Sequence, residues 1–305
     1  MVQNCTPAPV RGTGANRTLN GVRDVAGPSS ADPSSPGSNR AGHVATQARP
    51  WQRFVAIGDS FTEGLNDELD ANGRHRGWAD RVACALAERE ASLQYANLAI
   101  RGRLASHVHA EQVPIALGLQ PDLVSLAVGV NDALRRHFNV SATATHIEQS
   151  VRQLRSANID VLLFAFGDPA RRSSVMGLIR DRLLAMNSAT RAIARHYGCY
   201  LVDFWGVSVF DEDELWSADR LHLSPTGHGV AAAAALQALG LGDDAWRTPH
   251  PVAAPRLPQR AAANIHWAGT HLGPWLARRA RGTSSGDGVL PKRPILQPVS
   301  HRSTS

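Results

Sequence analysis

Short apolar runs alternate with helical segments along residues 51–245, and this alternation constrains the fold more than any other feature of the chain. Most of the runs are nearly continuous in apolar residues, as in strands that are buried on both faces. Five of them predict strands, at 53–57, 93–98, 122–128, 159–166 and 199–203. Buried strands separated by helices form parallel sheets that are covered on both sides. The sequence therefore predicts a single three-layer α/β/α domain with a five-stranded parallel, flavodoxin-like sheet.

The segments between these strands have helical spacing. Val82 and Leu86 follow Trp78 at i+4 and i+8, with charged residues on the opposite face. Pro114 is expected to bend or end a helix over 104–117. Three more helices are predicted, over 142–157, 175–197 and 225–239. In sheets of this kind, functional groups gather at the carboxyl ends of the strands.

Composition divides the chain into segments 1–50, 51–245 and 246–305. The two ends are rich in Pro, Gly, Ser and Arg and carry net charges of +3 and +8, whereas the middle carries −5. They predict a disordered N-terminal tail and a basic, Pro/Arg-rich C-terminal tail, both disordered or extended. The apolar patch at 267–276 either docks on the acidic middle segment or makes weak contact with a membrane surface. No nucleic acid is expected, since aromatic residues do not alternate with the basic ones.

The three cysteines, Cys5, Cys84 and Cys199, lack the pairing pattern of a disulfide framework. Cys84 and Cys199 are expected to be small buried residues, and a reducing compartment is favoured. The N-terminus has no apolar stretch of the signal-peptide kind, and no 18 apolar residues run together. We therefore expect a cytoplasmic protein with no transmembrane helix.

Four polar motifs lie beside the ends of predicted elements. Three follow strands, namely Gly58-Asp59-Ser60, Gly102 and Gly129-Val130-Asn131-Asp132. The fourth, Asp219-Arg220-Leu221-His222, precedes the last helix. A carboxylate three residues before a histidine can accept from Nδ1–H, which leaves Nε2 to act as a base.

Each motif taken alone also has a structural interpretation. Ser60 is suited to cap a helix, and Gly102 to form an ordinary turn. Asn131 would equally cap a helix, and Asp219 with His222 would form a surface ion pair. The four motifs together favour a functional site, because each lies where a parallel sheet gathers its reactive groups.

In order and spacing, the motifs resemble those of the SGNH hydrolases, also called GDSL esterases and lipases. The similarity extends over about 51–240 and includes 223–228, which continue the last motif as in that family. The basic ending is similar to that of some actinobacterial members. The resemblance implies a metal-independent esterase that needs no cofactor. The rival pattern Gly-x-Ser-x-Gly is absent around Ser60, which argues against the standard α/β-hydrolase fold.

The resemblance also implies a role for each motif residue. Ser60 would be the nucleophile, His222 the general base and then the general acid, and Asp219 the group that orients His222. The backbone N–H groups of Ser60 and Gly102 and the side-chain amide of Asn131 would form the oxyanion hole. The two other carboxylates of the motifs would brace the loops, namely Asp59 and Asp132.

The expected activity is hydrolysis of a small or carbohydrate-linked carboxylic ester through an acyl-enzyme on Ser60. An acyltransferase or a thioesterase would use the same site. Two alternatives from other functional classes also remain: a catalytically silent ligand-binding protein, and an adaptor that acts through its basic tails.

Further residues beside the motifs have two interpretations. Trp205, Phe210 and Trp216 precede the last motif and either wall an acyl or sugar pocket or form a loop folded on its own aromatics. His107 and His109 are expected on a helix surface rather than at a metal, because no Cys or carboxylate cluster accompanies them. The remaining histidine near the site, His228, is expected to cap or pack the last helix.

Overall fold

The computed structural model describes residues 3–5, 50–172, 174–248 and 285–301, and they belong to one compact unit. Within them the sheet has seven strands: β1 Gln3–Cys5, β2 Arg53–Gly58, β3 Gln94–Asn97, β4 Leu123–Ala127, β5 Asp160–Ala165, β6 Tyr200–Asp203 and β7 Arg293–His301. The five predicted strands are β2 to β6. They lie in the order β3-β2-β4-β5-β6 with every neighbouring pair parallel, which confirms the flavodoxin-like arrangement.

Helices connect these strands on both faces of the sheet. In the described part of the chain they are α1 Ser60–Glu63, α2 Gly77–Ala87, α3 Ala105–His107, α4 Val113–Gly118, α5 Val130–Ala133, α6 Val140–Ser156, α7 Ser174–Gly177, α8 Arg180–Tyr197 and α9 Pro225–Ala238. Among them none is long and apolar enough to cross a membrane.

Two predicted helices are interrupted in the structure. The predicted helix over 104–117 contains a π-helical turn, Val108–Gln112, between α3 and α4. Pro114 lies in the first turn of α4, where its missing N–H leaves no helical hydrogen bond broken. The predicted helix over 175–197 is divided into α7 and α8.

Side chains alternate across β2 and divide the core into two parts. Phe54 and Ala56 pack with residues of α2 and α9 on one face. Val55 and Ile57 pack with residues of α4 and α6 on the other face. All four are fully buried, so helices cover both sides of the sheet and the three-layer prediction is confirmed.

Strand β7 extends the sheet where the sequence predicts only a basic tail. It runs antiparallel to β3, and β1 lies parallel on its other side. Pro294 and Pro298 give the segment the composition of a loop, since proline cannot donate to a strand ladder. The register of β7 against β3 shifts between Tyr95 and Asn97. The remaining parts of the predicted tails, including the patch at 267–276, lie outside the described residues.

Buried ion pairs hold β7 against α2. Lys292 pairs with the Asp80 carboxylate and donates to the carbonyls of His75 and Arg76, at 2.8 and 2.7 Å. Arg293 Nε donates to the other Asp80 oxygen at 3.3 Å. Burial lowers the pKa of Lys292, and the Asp80 charge opposes this effect. The chain after 291 is thereby fixed to the amino-terminal half of the domain.

The cysteines differ from the prediction. Cys84 is buried in α2, as expected, but it is disulfide-bonded, so the expectation of a chain without disulfides is wrong. Cys199 is free and only partly buried, rather than fully buried as expected, and its partial burial raises its pKa to about 11.

Candidate active site

Ser60 opens α1 directly after β2. The turn requires glycine at position 58, two residues before Ser60. A Cβ there would lie 2.3 Å from the Ala127 carbonyl oxygen, and φ at Gly58 is +148°. Asp59 caps the helix: its Oδ1 accepts from the Phe61 N–H at 3.0 Å. Ser60 thus lies at the carboxyl end of a central strand, where the sequence predicts it.

Gln112, which no sequence motif indicates as a functional residue, holds this turn by two hydrogen bonds to Gly58. The Gly58 N–H donates to Gln112 Oε1 at 2.7 Å, and Gln112 Nε2 donates back to the Gly58 carbonyl at 2.9 Å. Gln112 is buried and ends the π-helical turn. A lone glutamine in a helical pattern carries no signal of this contact.

His222 lies between Ser60 and Asp219. Its Nε2 is 2.9 Å from Ser60 Oγ, and its Nδ1 is 2.7 Å from Asp219 Oδ2. An ionised carboxylate only accepts, so Nδ1 carries the proton and Nε2 is left to accept from the serine hydroxyl. The arrangement has the geometry of a Ser-His-Asp triad.

The Asp219 carboxylate is held by several donors. Its Oδ1 accepts from the N–H groups of Leu221 and His222 at 2.9 and 3.0 Å and from the Ser217 hydroxyl at 2.6 Å. Its Oδ2 also accepts from Asn66 Nδ2 at 2.8 Å. Burial acts to raise the pKa of Asp219, but the hydrogen bonds and charge of His222 hold it well below its ordinary value. Asp219 is therefore ionised at neutral pH.

The segment that carries Asp219 and His222 folds back on itself. Trp216 and Leu223 form an antiparallel bridge, and the Ser217 N–H donates to the His222 carbonyl at 2.9 Å. This closed loop brings the carboxylate and the imidazole together immediately before α9.

The Asn131 side chain links the first three motifs. Its Nδ2 donates to Asp59 Oδ2 at 3.0 Å and to the Arg103 carbonyl at 3.2 Å. Asp59 and Arg103 are the chain neighbours of Ser60 and Gly102, respectively. The structure therefore places the three predicted oxyanion-hole residues in adjacent loops.

A second contact fixes the loop of Gly102 against α1. Glu63, in the last turn of α1, accepts from the Arg101 N–H at 2.7 Å and forms an ion pair with the Arg101 guanidinium. The Ile100 N–H donates to the Gly58 carbonyl at 3.3 Å. Gly102 itself has φ +76°, in the left-handed region that glycine adopts readily.

Two further carboxylates lie close to these loops. Burial raises the pKa of Asp59 to about 7, against the opposing effects of the Phe61 N–H and the His222 charge. Burial likewise raises the pKa of Asp132 to about 6. Asp132 accepts from the Ala105 N–H at 3.1 Å, and so joins α5 to the start of α3. Both carboxylates therefore form hydrogen bonds to neighbouring loops, Asp59 through Asn131 and Asp132 through Ala105.

A cavity of about 130 Å³ opens beside Ser60 and His222. Its wall is largely apolar and includes two of the three aromatic residues predicted there, Phe210 and Trp216. Trp205 does not line it, and its ring lies 5.4 Å from the Arg180 guanidinium instead. Other apolar residues of the wall are not predicted from the sequence, and they include Phe61, Val130, Leu134, Phe166, Met176, Ile179, Leu183 and Phe204.

The remaining histidines have structural contacts. His107 Nδ1 accepts from the Leu104 N–H at 3.2 Å, whereas His109 Nδ1 lies 3.1 Å from Ser150 Oγ. No group of three or more His, Cys, Asp or Glu side chains in the described part of the chain is placed to hold a metal ion.

His228 is buried beneath the site. Its Nδ1 accepts from the Trp78 N–H at 3.3 Å, and its Nε2 donates to the Leu65 carbonyl at 3.1 Å. Burial holds its pKa well below the ordinary value. It is a neutral packing residue, as expected.

The fold and the family match together define an ester-hydrolysing serine hydrolase of the three-layer α/β kind. Residues 56–230 match the GDSL-like Lipase/Acylhydrolase family, and the chain belongs to this family. No curated protein sequence matches it.

Solved structures share the fold. LAE5, an α/β hydrolase enzyme from the metagenome of Lake Arreo, is 25% identical with a TM-score of 0.53, over 63% of this chain and 97% of that chain. Axe2, an acetylxylan esterase from Geobacillus stearothermophilus, is 19% identical with a TM-score of 0.53, over 64% of this chain and 95% of that chain.

Proposed function

We propose that this protein is a serine esterase that cleaves a small or carbohydrate-linked carboxylic ester through an acyl-enzyme on Ser60. The proposal rests on one observation, the line of hydrogen bonds through Ser60, His222 and Asp219. Ser60 Oγ lies 2.9 Å from His222 Nε2, and His222 Nδ1 lies 2.7 Å from Asp219 Oδ2. Serine is a weak nucleophile until a base takes its proton, and this line supplies the base.

In the first step, His222 Nε2 takes the hydroxyl proton while Ser60 Oγ attacks the ester carbonyl carbon. The imidazolium that forms is stabilised by the ionised Asp219, which does not itself take the proton. When the tetrahedral intermediate collapses, His222 gives its proton to the leaving alcohol and the acyl group stays on Ser60. A water molecule, deprotonated by His222, then releases the carboxylic acid.

The developing oxyanion is bound by the backbone N–H groups of Ser60 and Gly102 and by the Asn131 amide. Such donors are each worth roughly 3–4 kcal/mol by deletion when they are fixed before the reaction. Asp59 Oδ2 restrains the Asn131 amide, and Glu63 restrains the Gly102 loop through Arg101. The Asn131 amide has two N–H groups, and the one that donates to the Arg103 carbonyl at 3.2 Å must turn toward the oxyanion to bind it.

The apolar cavity beside Ser60 supports a carboxylic ester with a short apolar acyl group. The name of Axe2 supports a carbohydrate-linked ester, since that protein is an acetylxylan esterase. Its solved structures include catalytic mutants at a serine, an aspartate and a histidine.

Turnover of short p-nitrophenyl esters and acetylated xylo-oligosaccharides tests the proposal. The wild type should hydrolyse members of at least one series, and Ser60→Ala or His222→Ala should lower kcat by several orders of magnitude. Ser208→Ala, at another serine of the described chain, is the matched control and should leave kcat within about twofold. Unchanged turnover by Ser60→Ala would contradict the proposal.

A further inference from the structure

Arg172 is a cation in the wall of the active-site cavity, and it is not paired with any carboxylate of the described residues. Its guanidinium carbon lies 3.6 Å from the centre of the Trp216 ring, so the group is held flat on an aromatic face. Its Nη2 donates to the Arg220 carbonyl at 3.3 Å. Its Nε is buried and has no hydrogen-bond partner among the described residues.

The neighbouring arginine, Arg171, differs from Arg172 in having a carboxylate partner. Arg171 also lines the cavity, but it forms an ion pair with Asp211 at 2.7 Å. Within the described ranges, no carboxylate lies within ion-pair distance of Arg172. Asp213, Asp211 and Asp219 act on Arg172 from farther away and favour its charged form.

Arg172 keeps its charge despite burial. Desolvation lowers its pKa to about 10, which still leaves the guanidinium protonated at neutral pH. The Trp216 ring and the Arg220 carbonyl replace only part of the hydration that this half-buried cation loses, because its Nε donor stays unfilled, so it adds little to the stability of the fold. A planar guanidinium stacked on an aromatic ring presents its N–H groups to a ligand in the geometry that carboxylate and phosphate oxygens fill.

We infer that the ester substrate carries an anionic group, a carboxylate or a phosphate, which Arg172 binds while the apolar wall contacts the rest of the ester. This inference rests on the proposed function, because it places the anionic group on the ester that Ser60 attacks. Arg172 acts here on substrate choice and takes no part in proton transfer.

Matched ester pairs test the inference. Mono-4-nitrophenyl glutarate and 4-nitrophenyl pentanoate have equal acyl length and differ in a terminal carboxylate. 4-Acetoxybenzoate and 4-acetoxybenzamide place the same difference on the alcohol side. 4-Acetoxyphenyl phosphate, compared with the same neutral benzamide, tests the phosphate. The readout is the ratio of kcat/KM for the charged ester to that for the neutral ester within each protein, which cancels differences in folded fraction.

The wild type should prefer the charged member of at least one pair by about tenfold or more, in line with a charge-assisted hydrogen bond. Arg172→Gln should reduce that ratio to about one, mainly through KM, and Arg172→Lys should keep part of it. Arg136→Gln, at an exposed arginine outside the cavity wall, is the control and should leave the ratio within about twofold. A wild-type ratio of one or less in every pair, or an equal ratio in Arg172→Gln, would overturn the inference.

Ser60→Ala separates this inference from the proposed function. If neutral-ester hydrolysis disappears in Ser60→Ala, the proposed function holds whichever ratio is found. If that hydrolysis persists in Ser60→Ala, the proposed function fails, and the inference fails with it.

Discussion

The side-chain amide of Asn66 donates to Asp219 Oδ2 across 2.8 Å, and His222 Nδ1 contacts the same oxygen. Asn66 lies just beyond α1, the helix that Ser60 opens, and its φ is +70°. It also donates to the Ser217 hydroxyl, which in turn donates to Asp219 Oδ1. The loop that follows the nucleophile therefore positions the carboxylate that orients the base.

Asn66→Ala should lower kcat by about tenfold and leave KM nearly unchanged, because one donor that fixes Asp219 is lost while the cavity wall stays intact. Steady-state kinetics on a p-nitrophenyl ester measures both constants. Asn72→Ala, at an exposed position in the same loop, is the control and should behave as the wild type. Equal kcat values for the two variants would show that Asn66 has no positioning role.

Asp59→Asn should lower kcat by about 10- to 100-fold. The wild-type carboxylate accepts from both the Phe61 N–H and Asn131 Nδ2, whereas an amide has one accepting oxygen and loses one of these contacts. Loss of the Asn131 contact loosens an oxyanion donor, and loss of the other removes the cap of α1. Kinetics together with thermal unfolding distinguishes the two losses. A variant with wild-type kcat and Tm would contradict this account of Asp59.

Asp132→Asn should change how stability depends on pH. The pKa of Asp132 is raised to about 6 in the folded protein, against about 4 when unfolded. The folded state therefore binds the proton more tightly, and the wild-type free energy of unfolding falls as pH rises from about 4 to about 6. An asparagine does not titrate, so this contribution, up to about 3 kcal/mol, is absent in the variant.

Urea unfolding of both proteins at pH 4 and pH 7 measures this difference. Asp59, whose raised pKa acts in the same direction, is present in both proteins and cancels. Asp181→Asn, at an exposed carboxylate of α8, is the control and should keep the wild-type pH dependence. The same pH dependence in Asp132→Asn and the wild type would contradict the prediction.

Lys292→Met should lower the free energy of unfolding by about 3–5 kcal/mol, because Asp80 stays buried after losing one of its two cations. Denaturant unfolding measures the loss. Arg136→Met, at an exposed arginine, is the control and should change stability by less than about 0.5 kcal/mol. A small effect of Lys292→Met would mean that β7 contributes little to the fold.

The sequence predicts the elements whose signals are local. Five apolar runs give the five parallel strands, and the motifs after them give the positions of Ser60, Gly102 and Asn131. Strand β7 is not predicted, because its two prolines are typical of a loop and its ion-pair partner, Asp80, lies more than 200 residues earlier. The contact of Asn66 is not predicted either, because its partner Asp219 is 153 residues away in the sequence.

Residues that determine substrate specificity are the hardest to predict from the sequence. Arg172 is one arginine among many. Two properties of the folded chain distinguish it: no carboxylate of the described residues lies within ion-pair distance, and the ring of Trp216 lies beneath its guanidinium. Trp205 has the composition of a pocket residue, yet the backbone after β6 directs its ring toward Arg180.

Covalent labelling tests the central claim most directly. A fluorophosphonate reacts with a serine that is activated by a neighbouring base, and mass spectrometry of the digested protein locates the adduct. The account predicts a single adduct on Ser60 in the wild type, with labelling slowed by several orders of magnitude in His222→Ala. Labelling of a different residue, or equal labelling rates in the two proteins, would contradict it.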